Sequence, residues 1–148
     1  MISPLTMLYN IFLLPSFILL FFINPIKNIQ KEYVTVYINS TKYSMEVANT
    51  LYKKALGLMY RGSSSTGGMV FNYKKATNPS YYNKNVRFPL RIYFIDDTYM
   101  VKASYVMQKN SFKTVSSNSK INYVVEVPLN QDLSGDPGEK VEIKIEDL

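Results

Sequence analysis

Cysteine and histidine are both absent from the 148 residues, and each absence removes chemistry. Without cysteine there is no disulfide and no thiol nucleophile. Without either residue there is no Cys/His zinc site, and no serine or cysteine can pair with an imidazole base. The missing disulfides do not decide the compartment, because a reducing one is permitted and many exported domains do without them. Charge is absent from the first 26 residues, the earliest charged side chain being Lys27. Acidic residues are scarce until the C-terminal stretch. From Asp132 onward six acids (Asp132, Asp136, Glu139, Glu142, Glu146, Asp147) stand against Lys140 and Lys144. That leaves 17 less 2 basic and 11 less 6 acidic residues upstream, a net charge of +10. Such a body attracts anionic headgroups, polyanionic glycans or nucleic acid, or is a lysine-rich solvated surface. No arginine-dense cluster is present.

What is there begins with an apolar run. Leu5 to Ile23 is dominated by Leu, Ile and Phe, interrupted only by residues such as Asn10, Pro15 and Ser16. As a helix it is long enough to cross a hydrocarbon core of roughly 30 Å. No basic segment precedes it, and no small-x-small cleavage site lies near Asn24-Pro25-Ile26, so an uncleaved anchor is expected. The expected organisation is residues 1–26 as anchor or signal segment, 27–32 as linker and 33–148 as a single β domain. Two signals disagree on orientation. Lys27 and Lys31 would hold the C-terminal side in the cytoplasm, whereas the sequon Asn39-Ser40-Thr41 points outside.

The body reads as β structure. Val34 to Ile38 alternates, Asn39-Ser40 turns, and Lys42 to Ala48 returns as a hairpin partner. Asn49 or Thr50 caps one helix over Leu51–Tyr60, with Leu51, Ala55, Leu58 and Met59 on the face expected in the core and Gly62 as its stop. Met69 to Tyr73 is a short strand and Lys74 to Ser80 a polar loop. The organising stretch is Tyr81 to Asp96, a polar, basic half closed by Pro89 and then Leu90 to Ile95, which reads as a buried strand. Asp96-Asp97 turns and Tyr99 to Met107 pairs back. Gln108 to Ser119 is polar and expected to be mobile. Tyr123 to Val127 is a strand halted by Pro128, and Val141, Ile143 and Ile145 alternate as the last one. One helix and about seven short strands predict a mainly β domain, a β-sandwich or partly closed barrel.

Several motifs line up with a known family. Glu46-Val47-Ala48 with Thr50, then Gly57-Leu58-Met59 and Arg61, is similar to the opening motif of the domain of unknown function 192 family, small bacterial and archaeal proteins. Gly68-Met69-Val70-Phe71 is similar to its Gly-Met-Leu-Phe strand. Its Phe-Trp-Met-Lys-Asn-Thr and Ile-Pro-Leu-Asp-Ile fall on Tyr81 to Ile92, keeping Lys84, Asn85, Pro89, Leu90 and Ile92. Tyr123-Val-Val-Glu-Val-Pro128 and Gly138-Glu-Lys-Val141 resemble its last two blocks. Tyr82, Asn83 and Val86 depart from the pattern, and Arg91 stands where the family has Asp, reversing a charge beside the expected site. Leu129-Asn130 replaces the usual Ala-Gly. The resemblance implies an all-β sandwich, jelly-roll-like, with one short helix. It also implies a domain outside the cytoplasmic membrane, because many relatives carry an export signal. The activity of that family is not established.

The candidate site follows from the matched polar residues. Alternation along Tyr123 to Val127 puts Val124 and Glu126 on one face and Tyr123, Val125 and Val127 on the other. A glutamate on a half-buried face needs a cation, and Arg61 or Lys84 is the expected partner, in an ion pair that fixes the fold. The functional reading is a cleft in which Arg61, Lys84, Asn85 and Glu126 meet an anionic or hydroxyl-rich ligand against Tyr81 and Tyr82. The catalytic reading uses Glu126 or Glu46 as general acid or base, since Asp96 and Asp97 read as turn residues. The expected function is a membrane-tethered extracytoplasmic binding or accessory module for a glycan or envelope polymer. The alternative is a hydrolase-like enzyme on an envelope substrate. No metal and no cofactor are expected, and no nucleic-acid motif is present.

Overall fold

The computed structural model describes residues 32–62, 67–129 and 143–146. The expected anchor, Leu5–Ile23, the loop at Ser63–Thr66 and the strand position Val141 lie outside them. Among the described residues no helix is long and apolar enough to cross a membrane.

The described residues form nine strands and one helix, in order β1 Tyr33–Ile38, β2 Thr41–Ala48, α1 Leu51–Leu56, β3 Met69–Thr77, β4 Ser80–Tyr81, β5 Leu90–Ile95, β6 Val101–Met107, β7 Val115–Ser116, β8 Ile121–Pro128 and β9 Ile143–Glu146. Seven strands form one sheet in the order β6-β5-β8-β3-β2-β1-β9, and β4 pairs with β7 separately. Neighbours are antiparallel except β2 and β3, which run parallel with Val47 opposite Val70. A parallel pair needs a crossover, and α1 with the residues after it supplies the connection. The β1–β2 hairpin closes through Asn39 and Ser40, both at positive φ, as a two-residue turn between right-twisted strands requires.

β5 lies inside the sheet and is buried on both faces, which is why it is one uninterrupted apolar run apart from Arg91. One core draws only on strand residues, among them Val34, Val36, Met45, Val47, Val70, Tyr93, Val125 and Val127. A single sheet that packs its own strands together is curled, and this domain is a curled half-barrel. The second core packs Met69, Phe71, Ile92, Phe94 and Val124 beneath Leu58, Tyr81, Val86 and Phe88, which come from the connections. The mainly β expectation with one short helix therefore holds. Of the two architectures expected, the structure takes the partly closed barrel: one sheet curls into a half-barrel where a sandwich would have two packed sheets.

The helix is shorter than its periodicity predicts. Thr50 caps it, its hydroxyl accepting from the Lys53 N–H at 3.2 Å, but it stops at Gly57 rather than Gly62. Gly57 sits at φ 49°, a conformation open to glycine. With the register lost there, Leu51 is 90% exposed and Ala55 faces solvent, while Leu58 is buried. The segment 108–119 is held rather than loose: it contains β7 and returns the Ser111 carbonyl to the Asn83 N–H.

Candidate functional site

Sheet register aligns Glu46 of β2, Met69 of β3, Glu126 of β8 and Ile92 of β5 in one row. Their side chains share the face that carries α1. Strands lie about 4.8 Å apart, so the backbones of the two glutamates, two strands away from each other, are separated by about 10 Å. Their environments differ. Glu46 accepts from Arg61, Nη1 to Oε2 at 2.5 Å, in an ion pair that is 27% exposed on the arginine side and 4% on the glutamate side. Glu126 is buried and, among the described residues, no cation or hydrogen-bond donor meets its carboxyl. Burial alone pushes its pKa from 4.5 up to about 8. The expected pairing of Glu126 with Arg61 or Lys84 is thus corrected. The parallel β2–β3 register brings Glu46 to Arg61, and Lys84 lies exposed, its ammonium 5.4 Å from the Phe112 ring centroid.

Glu126 faces a cavity of about 250 Å³ beneath the end of α1, lined by Gly57, Leu58, Phe71, Tyr73, Tyr81, Tyr82 and Val86 among others. Gly57 is the closest wall. A side chain there would place its first carbon 3.3 Å from the Phe71 ring and 3.7 Å from Oε2 of Glu126, so glycine keeps this end open. Opposite, the hydroxyls of Tyr73 and Tyr81 share a hydrogen bond of 2.6 Å. Burial, followed by their mutual contact, keeps the Tyr81 hydroxyl protonated far above its usual range. Tyr81 is wedged edge-on between Phe71 and Phe94, with ring centroids 5.1 and 5.8 Å away. Lys54 stands at the rim with its ammonium 4.2 Å from the Tyr73 ring centroid, and burial and then Lys74 lower its pKa.

Of the residues predicted from sequence, Tyr81, Tyr82 and Glu126 meet in this cavity, Tyr82 being 46% exposed at its mouth. Arg61, Lys84 and Asn85 do not line it. Asn85 instead ties the 82–88 loop to the turn after the helix: its Nδ2 donates to the Tyr60 hydroxyl at 2.7 Å and its carbonyl accepts from the Tyr60 N–H. Asn85 and Tyr60 are both left-handed, with φ of 60° and 63°. Asn83 is buried and donates to the carbonyls of Phe88 and Gln108, which fixes the same loop from inside. Arg91 sits on the opposite face of the sheet from Glu126, beside Tyr93, so the charge reversal there does not touch the cavity. Asp96 is a turn residue, accepting from Thr98, Met100 and Lys102. Burial opposes its ionisation, but these bonds prevail and hold its carboxyl well below the usual range.

Lys54, Gly57, Phe71 and Tyr73 were not singled out as site residues by sequence reasoning. Tyr73 was accessible to it: Met69, Phe71 and Tyr73 alternate onto the face of β3 that meets Glu126.

The family model for DUF192, Uncharacterized ACR, matches residues 34–143. No curated protein matches the chain. Among solved structures, a Sinorhizobium meliloti 1021 protein described as a "putative transcription regulator" is 19% identical, with a TM-score of 0.66 over 80% of this chain and 97% of that one. A protein of unknown function from Novosphingobium aromaticivorans DSM 12444 is 22% identical, with a TM-score of 0.60 over 82% of this chain and 89% of that one. At these identities the likeness is one of fold.

Proposed function

The chain belongs to the DUF192 family, whose description carries no activity, so we propose its function from the cavity itself: a binding module for a small, hydroxyl-bearing ligand such as a sugar unit of an envelope glycan. The observation that carries this reading is the carboxyl of Glu126, buried with no counter-charge among the described residues and lining a cavity. At pH 7 a carboxyl with a pKa of about 8 is mostly neutral and offers one O–H donor and further acceptor capacity to a ligand hydroxyl. A buried polar group left without a partner is costly, and a ligand that supplies one recovers that cost. Phe71, Tyr73, Tyr81 and Tyr82 give the cavity an aromatic lining, a residue class suited to the C–H face of a sugar. The uncharged run Leu5–Ile23 supports tethering of the domain to a membrane, and we place the domain on the outer side.

The test is a titration of the 15N-labelled full-length chain with N-acetylglucosamine and its β-1,4-linked dimer. Saturable shifts at the amides of Gly57, Tyr73, Tyr81, Val86 and Glu126, lost in Glu126→Ala, are expected. Unmoved amides at tens of millimolar sugar would overturn the reading. Membrane fractionation followed by external protease on intact cells checks the tether and its side.

One observation favours a second reading. A carboxyl with a pKa near neutrality in a cleft is suited to general acid catalysis. Among the described residues no second carboxylate lines the cavity, and Glu46 is paired with Arg61. Turnover of a chromogenic glycoside that is abolished by Glu126→Gln would favour the enzyme, and saturable binding without turnover favours the module.

A further inference from the structure

A second concavity opens where β3 loses its register with β8. Asn72 is opposite Tyr123 and Thr77 opposite Ile121, so Tyr73 to Ala76 bulge outward against Asn122 alone. On its other side β3 is paired by β2 only as far as Phe71. Beyond that point no described strand covers it, and Asn49 and Lys54 face the bulge across an open groove of about 570 Å³. Bulges re-aim side chains and recur beside functional sites. This one puts Lys74 and Lys75 into the same groove as Lys54. No described carboxylate forms an ion pair with any of the three. Asn49, which also lines the groove, donates its Nδ2 to Glu32 at 2.6 Å. Lys54 and Lys74 repel one another, an arrangement that an anion between them would relieve. Lys54 and Tyr73 line both this groove and the Glu126 cavity, which places the two side by side.

The geometry points to an anion-binding subsite at Lys54, Lys74 and Lys75 that takes a phosphate or carboxylate group, the neutral remainder of the same ligand entering the Glu126 cavity. The anion site stands on the groove alone, and the two-part ligand rests also on the function proposed above. The ligand class is therefore an acidic sugar derivative, a phosphosugar or a uronic acid, rather than a neutral sugar.

The experiment is a titration of the 15N-labelled full-length chain with inorganic phosphate, chloride at equal ionic strength being the control. Saturable shifts at the amides of Lys54 and of Asn72 to Thr77 are expected. Lys74→Ala/Lys75→Ala should weaken phosphate about tenfold or more, as removal of charge-assisted hydrogen bonds does. Phosphate shifts no larger than those of chloride, or unchanged in the double variant, overturn the site, as does binding of heparin without binding of phosphate, which marks diffuse surface charge. Glucose 1-phosphate and glucuronate then separate the two anion sources. Each should bind more tightly than glucose, with Glu126→Ala removing only the increment over the bare anion. Phosphate that binds at the lysines, with no gain on adding a sugar, would sink the two-part ligand and leave the lysine site in place.

Discussion

Replacing Glu126 with glutamine should change the pH dependence of stability more than stability at low pH. Burial raises the Glu126 pKa from 4.5 to about 8 in the folded protein. Below 4.5 both folded and unfolded chains hold the proton, and the group adds nothing to the slope. Between 4.5 and about 8 the unfolded chain has released it while the folded chain keeps it, so stability falls as pH rises. Above about 8 both are ionised and the loss is complete. The slope is about 1.4 kcal/mol per pH unit, so close to about 5 kcal/mol is lost across the window and about 3 kcal/mol of it by pH 7. Against a typical total of about 5–15 kcal/mol that is a large fraction. Glutamine has nearly the same shape and no titrating proton, so its curve should be flatter. Urea unfolding followed by circular dichroism at intervals from about pH 5 to pH 8 reads this directly. The two proteins should be close at the acid end and diverge upward, with Glu126→Gln the more stable at the alkaline end. Parallel curves, or a variant weaker by about 3–5 kcal/mol at every pH as a broken ion pair would give, would refute the reasoning.

Three further outcomes follow from the geometry. Arg61→Ala leaves the Glu46 carboxylate buried and alone, and should cost about 2–4 kcal/mol in chemical denaturation, the partial exposure of Arg61 keeping it below the full buried-pair penalty. Asn85→Ala should cost about 1–2 kcal/mol, because it loses the bond to Tyr60 and puts alanine at φ 60°; Asn85→Gly should recover the backbone share, so glycine should be the milder change in a thermal melt. Gly57→Ala should lower stability by about 1–3 kcal/mol and weaken any ligand of the cavity, since the new methyl meets Phe71 and Glu126 at a strained φ.

What could be read from the sequence followed the range of the contact involved. The β1–β2 hairpin, β5 as a buried strand and the facing of Val124 with Glu126 depend on alternation and turn chemistry, and all three stand in the structure. Half of the helix stripe stands: Leu58 and Met59 pack in the core, but they follow Gly57, where the helix ends at positive φ, so they share no helix face with Leu51 and Ala55, which lie exposed. The partner of Arg61 depended on a parallel pairing of β2 with β3 across a crossover, which no local spacing encodes. Lys74 to Ser80 looked like a loop because it is polar. Its first residues instead form the end of β3, bulged from β8 and without a described neighbour on the other side, so no apolar alternation is required there. The candidate site was legible in part for the same reason. Tyr81, Tyr82 and Glu126, named from the matched family motifs, line one cavity, while Lys54 and Gly57 enter only because the crossover brings α1 to β8 and β3.

The central claim is that Glu126 is a neutral carboxyl facing a cavity that a ligand can enter. A 13C titration of the glutamate side-chain carboxyls in the full-length chain, with Glu126→Gln to assign the signal, measures it directly. A midpoint near 8 is expected for Glu126, moving when a bound sugar derivative displaces solvent from the cavity. A midpoint near 4.5, unchanged by any ligand, would show a solvated or paired carboxylate and contradict it.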